Sequence, residues 1–461
     1  MILDLDPAEA WKAWRPTAAE PWGRKWAAHL YRRAAFGPSA ADLDAAERAG
    51  FEKTLALLLS GRPDAPEIDE SLADVGRVAA KSDDPDQLRG WWLYAMLHTA
   101  HPLREKLTLF WHNHFATSIL KVRKSAVMLQ QNQLLRSHAL GKFGPFLHAI
   151  GKDAAMLLWL DSNSNVKGAA NENYAREVME LFSLGVGNYT EKDIREAARA
   201  FTGWHTDGQG FRFNAAQHDD GPKTIFGKTG NWDGGDVVPM LLDRPSAARF
   251  LVGKLYAFLV SEVPPPPALL EPLCDSFRKS DYDIGALVKT MLSSRLFFSD
   301  RAFRQRVKGP VEYVLGATRA VYRAGGKPLP HRTLVRHVNA MGQSLFAPPN
   351  VKGWPGGRVW LNTATVLERD NFAAALSSGT LWGSGFPSRD FDPARVLDSA
   401  TGAEDVVQAL LDVYVPGGVR PEVRAKLVAF LGDGKPAGDE LAQRVRDAAH
   451  AILTMPEYQL A

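Results

Sequence analysis

One stretch of the sequence, NENYAREVMELFSLG, places an amide and two carboxylates at helical spacing. With about 100° of rotation per residue, Asn173, Glu177 and Glu180 fall within roughly 60° of one another on the polar side of a predicted helix. Arg176 lies beside them, four residues from both Glu172 and Glu180, so it could pair with either carboxylate. Two carboxylates on one stripe could do acid and base chemistry on a ligand, or they could form a solvated helix face.

The opposite side of this predicted helix is apolar and should pack into the core. Its members are Tyr174, Ala175, Val178, Met179, Leu181 and Phe182. A small polar loop, SNSNVKGAANEN, precedes the helix and would bring the positive end of its dipole next to the polar stripe. This combination is plausible for the end of a helix that faces a ligand.

A second candidate is the pair of histidines in LREKLTLFWHNHF. On a regular helix His112 and His114 point about 160° apart, so they would share a site only if the helix ended near Asn113. Imidazole and carboxylate are usual ligands of Zn, Mn or Fe, which makes His112, His114, Glu177 and Glu180 one predicted metal site. The same residues could instead do metal-free acid–base work, or the histidines could be hydrogen-bonded core residues.

Two loops rich in glycine supply further candidates. In QHDDGPKTIFGKTGNWDGGD, His218 and Lys223 lie among glycines that would let the backbone approach a ligand, although no Walker or Rossmann pattern is present. In NVKGWPGG, Lys352 offers an anion contact and Trp354 a stacking surface, unless the loop is a rigid plug on the core. Both loops could equally be turn-rich surface segments.

Helical periodicity dominates the chain, and we predict a mainly α fold with long loops rich in Gly, Pro and Trp. Ser39 is predicted to cap one helix and Pro102 to begin another. We predict one large helical domain over 1–385 and a C-terminal helical subdomain over 386–461. Further helices are predicted over 125–140, 171–184, 190–201, 246–260, 268–277, 284–292, 309–322 and 331–341.

Composition narrows the function classes. The 461 residues carry 55 basic and 52 acidic side chains, a balance too even for general attraction to nucleic acid or anionic membrane. The lone Cys274 cannot form an intramolecular disulfide, which favours a reducing compartment. The N-terminal residues do not resemble a secretory signal, and no apolar run is long enough to span a membrane. We therefore expect a cytoplasmic protein, or a periplasmic one if a leader has been removed.

Five motifs together carry a family resemblance. The segments HLYRRAAFGPS, EKLTLFWHNHFATS, NENYAREVMELFSLGVGNYTEKDIREAARAFTGW, HDDGPKTIFG and LFAPPNVKGWPGG occur in this order. The chain from His29 to Leu460 thereby resembles the bacterial family catalogued as domain of unknown function 1800. The resemblance implies no reaction, cofactor or substrate. It does imply that the candidate residues lie in shared segments, and it suggests a phosphatase-like or sulfatase-like partner protein, because such proteins accompany many relatives.

The leading hypothesis is an enzyme with a His/Glu pocket that hydrolyses an anionic or sugar-containing substrate, either with a divalent metal or by acid–base catalysis. Its catalytic residues would be Glu177, Glu180, His112 and Arg176, and its substrate-binding residues Asn173, His218, Lys223, Lys352 and Trp354. One alternative is a noncatalytic helical scaffold whose polar motifs are buried ion pairs. Another is a glycan-binding protein, for which Trp232, Trp354 and Trp360 lie in or beside loops where a sugar could stack.

Overall fold

A computed structural model describes residues 6–63, 65–321, 331–381, 391–397 and 400–461. The fold is mainly α, as predicted. The α-helices are, in chain order, α1 Pro7–Ala10, α2 Arg24–Ala34, α3 Ala40–Ala49, α4 Phe51–Ser60, α5 Ala65–Lys81, α6 Pro85–His98, α7 Pro102–His114, α8 Ile119–Val122, α9 Ser125–His138, α10 Phe143–Gly151, α11 Ala154–Trp159, α12 Asn173–Glu177, α13 Glu191–Ala200, α14 Gly234–Leu242, α15 Pro245–Leu259, α16 Pro267–Lys279, α17 Ile284–Leu292, α18 Pro310–Val321, α19 His331–Ala340, α20 Thr363–Ser378, α21 Pro393–Leu397, α22 Ala403–Tyr414, α23 Pro421–Gly432, α24 Gly438–Thr454 and α25 Pro456–Gln459.

The long glycine-rich segment before α14 contains two small antiparallel hairpins. Strand β1 Trp204–Thr206 pairs with β2 Phe211–Phe213, and β3 Lys223–Ile225 pairs with β4 Lys228–Gly230. We predicted this segment as an irregular loop. Each strand has only three residues, which is too short for alternation of polar and apolar side chains to be visible in the sequence.

Local capping chemistry sets several helix starts as predicted. The Ser39 side chain accepts a hydrogen bond from the backbone N–H of Asp42, whose carboxylate in turn accepts from the Ser39 backbone, forming a capping box before α3. Pro102 is the first residue of α7. The predicted helix over 309–322 is α18, and its last predicted residue, Tyr322, lies outside the described residues.

Buried apolar side chains form two large cores. One joins helices from the first third of the chain to α10 and α13–α17. The other joins α6 and α9 to α18–α20, α22 and α24. The C-terminal helices therefore share a core with helices that we assigned to the main domain. The boundary that we predicted between residues 385 and 386 lies outside the described residues and stays a prediction.

Helix α7 lies between the two cores and carries the predicted histidines. Leu107 and Trp111 pack in the first core, whereas Leu109 packs in the second. Burial on both sides leaves the polar side chains of α7 little contact with solvent, so they bind other protein groups. Among the helices described here, none is long and apolar enough to cross a membrane.

Candidate functional site

The helix that carries the two glutamates changes its winding partway along. Helix α12 ends at Glu177 and continues as a π-helix over Val178–Ser183. The backbone N–H of Leu184 donates to the carbonyl of Met179, five residues back, at 2.9 Å. Our prediction of one regular helix over 171–184 is therefore wrong for Val178–Ser183. Short π-helical segments of this kind occur frequently at functional sites.

The predicted division into an apolar and a polar side holds in spite of the altered winding. Val178, Met179 and Phe182 are each 0% exposed, and they pack in the first core. Glu177 and Glu180 are half-buried at the protein surface. The structure thus places the two carboxylates side by side, three residues apart, at the boundary between core and solvent.

Glu177 differs from the other polar residues of this helix in its surroundings. In the part of the chain that the structure describes, its carboxylate forms no hydrogen bond and no ion pair. Burial raises the pKa of Glu177, the negative charge of Glu180 raises it further, and Arg176 and Lys352 oppose the shift. The site therefore makes the Glu177 carboxyl easier to protonate than a free glutamate.

Glu180 differs from Glu177 because it has a hydrogen-bond donor. The hydroxyl of Tyr189 donates to its Oε2 at 2.8 Å. Burial and this hydrogen bond raise the pKa of Tyr189 to about 12, so the phenol stays protonated and keeps donating at neutral pH. We did not identify Tyr189 from the sequence. Its only signal was its position in GVGNYTEKD, the tight glycine turn that returns the chain from the π-helix to α13.

Arg176 is held by two carboxylates, neither of which is Glu180. Its guanidinium donates to Glu172 at 2.8 Å and to both carboxylate oxygens of Glu191, at 3.0 and 2.8 Å. The pairing with Glu172 is one of the two that the spacing allowed, whereas Glu191, at the start of α13, was not foreseen. Arg176 therefore ties α12 to α13.

Asn173 is exposed, and its Nδ2 donates weakly to the carbonyl of Leu160 at 3.5 Å.

The two histidines of α7 are buried and hydrogen-bonded to backbone. His112 Nε2 accepts from the N–H of Phe346 at 3.1 Å, and burial lowers the His112 pKa to about 3. His114 Nε2 lies 3.0 Å from the carbonyl of Phe182, and because a carbonyl only accepts, this nitrogen carries the proton. Burial and the charge of Lys254 lower the His114 pKa well below its ordinary value. Both rings are neutral.

These contacts correct the predicted joint centre of His112, His114, Glu177 and Glu180. Helix α7 continues through His114, so the rings diverge as they do on any regular helix, and each is held by a different backbone group. Among the described residues, no group of three or more His, Cys, Asp or Glu side chains is arranged to hold a metal ion. Of the four predicted ligands, the two glutamates remain accessible.

The loop that carries Lys352 docks on the end of α7 through Asn113. Asn113 Oδ1 accepts from the backbone N–H of Trp354 at 2.6 Å, and its Nδ2 donates to the Trp354 carbonyl at 3.2 Å. Gly353 has a φ of +78°, and a Cβ at this residue would lie 2.2 Å from Asn113 Oδ1. This close approach requires glycine. The docked loop leaves Lys352 exposed. The Lys352 ammonium lies close enough to Glu177 for its charge to affect the pKa of that carboxyl.

Trp354 does not offer a surface for stacking. Its side chain is 5% exposed and packs with Val307 and Trp360, and its ring centroid lies 5.6 Å from that of His112. This placement corrects the substrate-binding role that we predicted for Trp354. The apolar contacts make the indole a plug between the loop and the core, which was the alternative interpretation of NVKGWPGG.

His218 and Lys223 belong to a separate group beside the end of α13. His218 Nδ1 donates to the carbonyl of Thr202 at 2.8 Å. Lys223 is 0% exposed, its Nζ donates to the carbonyl of Gly221 at 3.1 Å, and burial lowers its pKa. No contact recorded among the described residues joins either side chain to Glu177. The predicted substrate-binding residues His218 and Lys223 thus bind backbone carbonyls of this loop and of the end of α13.

Comparison with known proteins gives one match. Residues 29–460 match the model of a family described as "Protein of unknown function (DUF1800)". No curated protein and no solved structure matches the chain.

Proposed function

Since the chain belongs to the family described as a protein of unknown function, DUF1800, we propose a function from the site alone. We propose an enzyme that hydrolyses an anionic or sugar-containing substrate by acid–base catalysis. The observation that carries this proposal is the half-buried carboxyl of Glu177, which has no partner among the described residues and lies beside a second carboxylate.

The two glutamates suit different steps of a hydrolysis. Glu177, whose pKa is raised by burial and by Glu180, is the general acid that gives its proton to the leaving-group oxygen. Glu180, oriented by Tyr189, is the base that accepts a proton from the attacking water. The water oxygen forms the new bond as the bond to the leaving group breaks, and the protons then exchange with solvent.

Lys352 supplies the positive charge that would attract an anionic substrate. It is exposed, and the Asn113–Trp354 hydrogen bonds hold its loop in place. Arg176 takes no direct part, because Glu172 and Glu191 hold its guanidinium. His112, His114 and Trp354 take none, because each is at most 5% exposed. Asn173 remains available at the helix start. The predicted divalent cofactor, Zn, Mn or Fe, stays a prediction that would rest on Glu177 and Glu180.

A noncatalytic scaffold is the second candidate, and the buried ion pairs favour it. Glu312 pairs with Lys106 and Arg306, and all three side chains are at most 7% exposed. Glu105, which is 2% exposed, pairs with Arg136 at 2.8 Å. The scaffold hypothesis also expects histidines that bind backbone groups, as His112 and His114 do. It assigns no role to an unpaired Glu177, which is why we rank it second.

Glycan binding and a partner protein have less support from the described residues. For glycan binding, Trp354 and Trp360 are buried at 5% and 8% exposure, and only Trp232 of the three candidates is half-buried. The phosphatase-like or sulfatase-like partner rests on the family resemblance and stays a prediction.

The experiment that tests the proposal compares three proteins on chromogenic phosphate, sulfate, ester and glycoside substrates. The wild type should hydrolyse at least one class, and Glu177→Gln should lower kcat by about 10²- to 10⁴-fold, the usual contribution of an acid or base. Glu191→Gln is the matched control, because it removes a neighbouring carboxylate that only pairs with Arg176. Equal rates in all three proteins, or no turnover of any class, would refute the proposal and leave the scaffold.

A further inference from the structure

A small cavity lies away from the acid–base site, where α2, α18, α22 and α25 meet. Its volume is about 20 Å³, and its lining includes Arg32, Lys308, Gly316, Tyr414 and Tyr458. A water-sized ligand needs roughly 10–15 Å³ on this measure, so the cavity holds one small ligand. The polar groups of its wall indicate which kind.

Four polar side chains on the wall can donate hydrogen bonds to a ligand. Arg32 is 6% exposed, and its hydrogen bond within the described residues goes to the carbonyl of Tyr414 at 3.0 Å, with no carboxylate in ion-pair distance. The Lys308 side chain is 4% exposed, and its Nζ lies 3.4 Å from the ring centroid of Tyr458 with no carboxylate partner among the described residues. The hydroxyls of Tyr414 and Tyr458 are buried without a hydrogen-bond partner.

The carboxylate and backbone acceptors near the cavity are already in use. Glu312 lines the wall, but it pairs with Lys106 and accepts from Arg306 at 2.6 Å and from the N–H of Gly309 at 2.8 Å. The backbone oxygen of Ala461, also on the wall, accepts from Arg33 at 2.7 Å. A buried guanidinium keeps its proton, and a buried charge without a counter-charge is costly. Arg32 therefore lies on the wall without a carboxylate within ion-pair distance among the described residues, because Lys106 and Arg306 hold Glu312.

We propose that this cavity binds a single halide-sized inorganic anion between Arg32, Lys308 and the hydroxyls of Tyr414 and Tyr458. One anion accepts hydrogen bonds from all of these donors and neutralises Arg32. A water molecule could also bind the two hydroxyls, whose oxygens accept hydrogen bonds, but it would leave the Arg32 guanidinium without a counter-charge.

Gly316 allows a test that fills the cavity without disturbing the fold. A Cβ on Gly316 would lie 3.5 Å from the Phe36 carbonyl oxygen and 3.7 Å from the Tyr458 hydroxyl, both ordinary contacts, so Gly316→Ala occupies the space beside the donors. Gly253→Ala is the matched control, because Gly253 also lies inside a helix and its Cβ would meet nothing within 4 Å. Both changes should stabilise their helices slightly.

The measurement is the Tm of each full-length protein in sodium bromide and in sodium gluconate at equal ionic strength. An anion that binds only the folded state raises Tm with its concentration, so bromide should raise the Tm of the wild type and of Gly253→Ala. Gly316→Ala should lose this increment while remaining folded. An equal Tm for the wild type in the two salts, or an undiminished bromide increment in Gly316→Ala, would overturn the proposal and indicate water alone.

A second variant tests the donors themselves. Tyr414→Phe combined with Tyr458→Phe keeps the ring packing and removes two hydrogen bonds to the anion, which should raise the bromide Kd by about tenfold or more. Anomalous scattering from a bromide-grown crystal should place the ion between Arg32 and Lys308. A bromide Kd that is unchanged in the double variant would show that the ion binds elsewhere and would refute the assignment.

Discussion

Glu177 and Glu180 lie three residues apart on the same polar face, and only Glu180 has a hydrogen-bond donor, the hydroxyl of Tyr189, among the described residues. A half-buried carboxyl beside a like charge destabilises the folded state. This destabilisation is expected of the proposed acid–base role and not of a purely structural one.

Replacing Glu177 should therefore stabilise the protein, in a pH-dependent way. Since the pKa of Glu177 is raised in the folded state, the folded protein binds more protons than the unfolded chain, and stability falls as pH rises through the interval above 4.5. Glu177→Gln removes the titrating carboxyl, so the stability of this variant should not fall in that pH interval. We expect a higher free energy of unfolding for the variant at pH 7 and nearly equal values below pH 4.5, measured by urea unfolding. A variant that is less stable at pH 7 would indicate a structural role.

Replacing Glu312 should have the opposite effect. Burial alone would raise the pKa of Glu312, but Arg306 and Lys106 outweigh burial and hold it at about 2. The ion pairs of Glu312 therefore stabilise the folded protein fully above pH 4.5, the pKa of this carboxyl in the unfolded chain. This stabilisation is lost as the pH falls towards 2. Glu312→Gln leaves two buried cations without their partner and should cost about 3–5 kcal/mol at pH 7.

The control for Glu312→Gln is Glu191→Gln. Glu191 pairs with Arg176 at 2.8 Å, but 63% of its side chain is exposed, so solvent screens the pair and the change should have little effect on stability. Urea unfolding of both variants between pH 3 and 7 measures the difference. Equal losses for the buried and the exposed pair would contradict the assignment of the Glu312 network as structural.

Gly353→Ala should detach the loop that carries Lys352. The added Cβ would lie 2.2 Å from Asn113 Oδ1 and 2.5 Å from the Asn113 carbonyl oxygen, in a backbone conformation with φ of +78°. Gly356→Ala is the control, because its φ of +72° also lies in the range that favours glycine while its Cβ meets nothing within 4 Å. The control should cost about 1–3 kcal/mol.

Because of the clash, Gly353→Ala should cost more than Gly356→Ala, and it should also change the near-ultraviolet circular dichroism of the buried Trp354. Unfolding curves and spectra of the two variants, collected side by side, provide both readouts. Equal costs with unchanged spectra would mean that the loop does not depend on its contact with Asn113.

Much of the fold was predictable because it follows local rules. The Ser39 capping box, the start of α7 at Pro102 and the burial of Val178 and Met179 follow from capping chemistry and helical periodicity. The π-helix after Glu177 was not predictable. Its hydrogen bonds join residues five apart, and over six residues this spacing leaves no distinct pattern in the sequence.

The candidate site was predictable only in part, because its contacts join distant segments. The spacing identified Glu177 and Glu180, and the motif NVKGWPGG identified Lys352, whose charge affects the pKa of Glu177. The roles of His112 and His114 depend on the carbonyl of Phe182 and the N–H of Phe346, and backbone groups are present at every residue. A sequence pattern therefore cannot distinguish a histidine that binds backbone from one that binds a ligand.

The most direct test of the acid–base site is the titration of the Glu177 side chain, followed by NMR of protein labelled with ¹³C at its glutamate carboxyls. The carboxyl signal that is missing from the spectrum of Glu177→Gln is the signal of Glu177. We predict a midpoint above the ordinary value of 4.5 in the wild type and a lower midpoint in Glu180→Gln, because that change removes one of the two causes of the shift. A midpoint at or below 4.5, or one that Glu180→Gln leaves unchanged, would contradict the account.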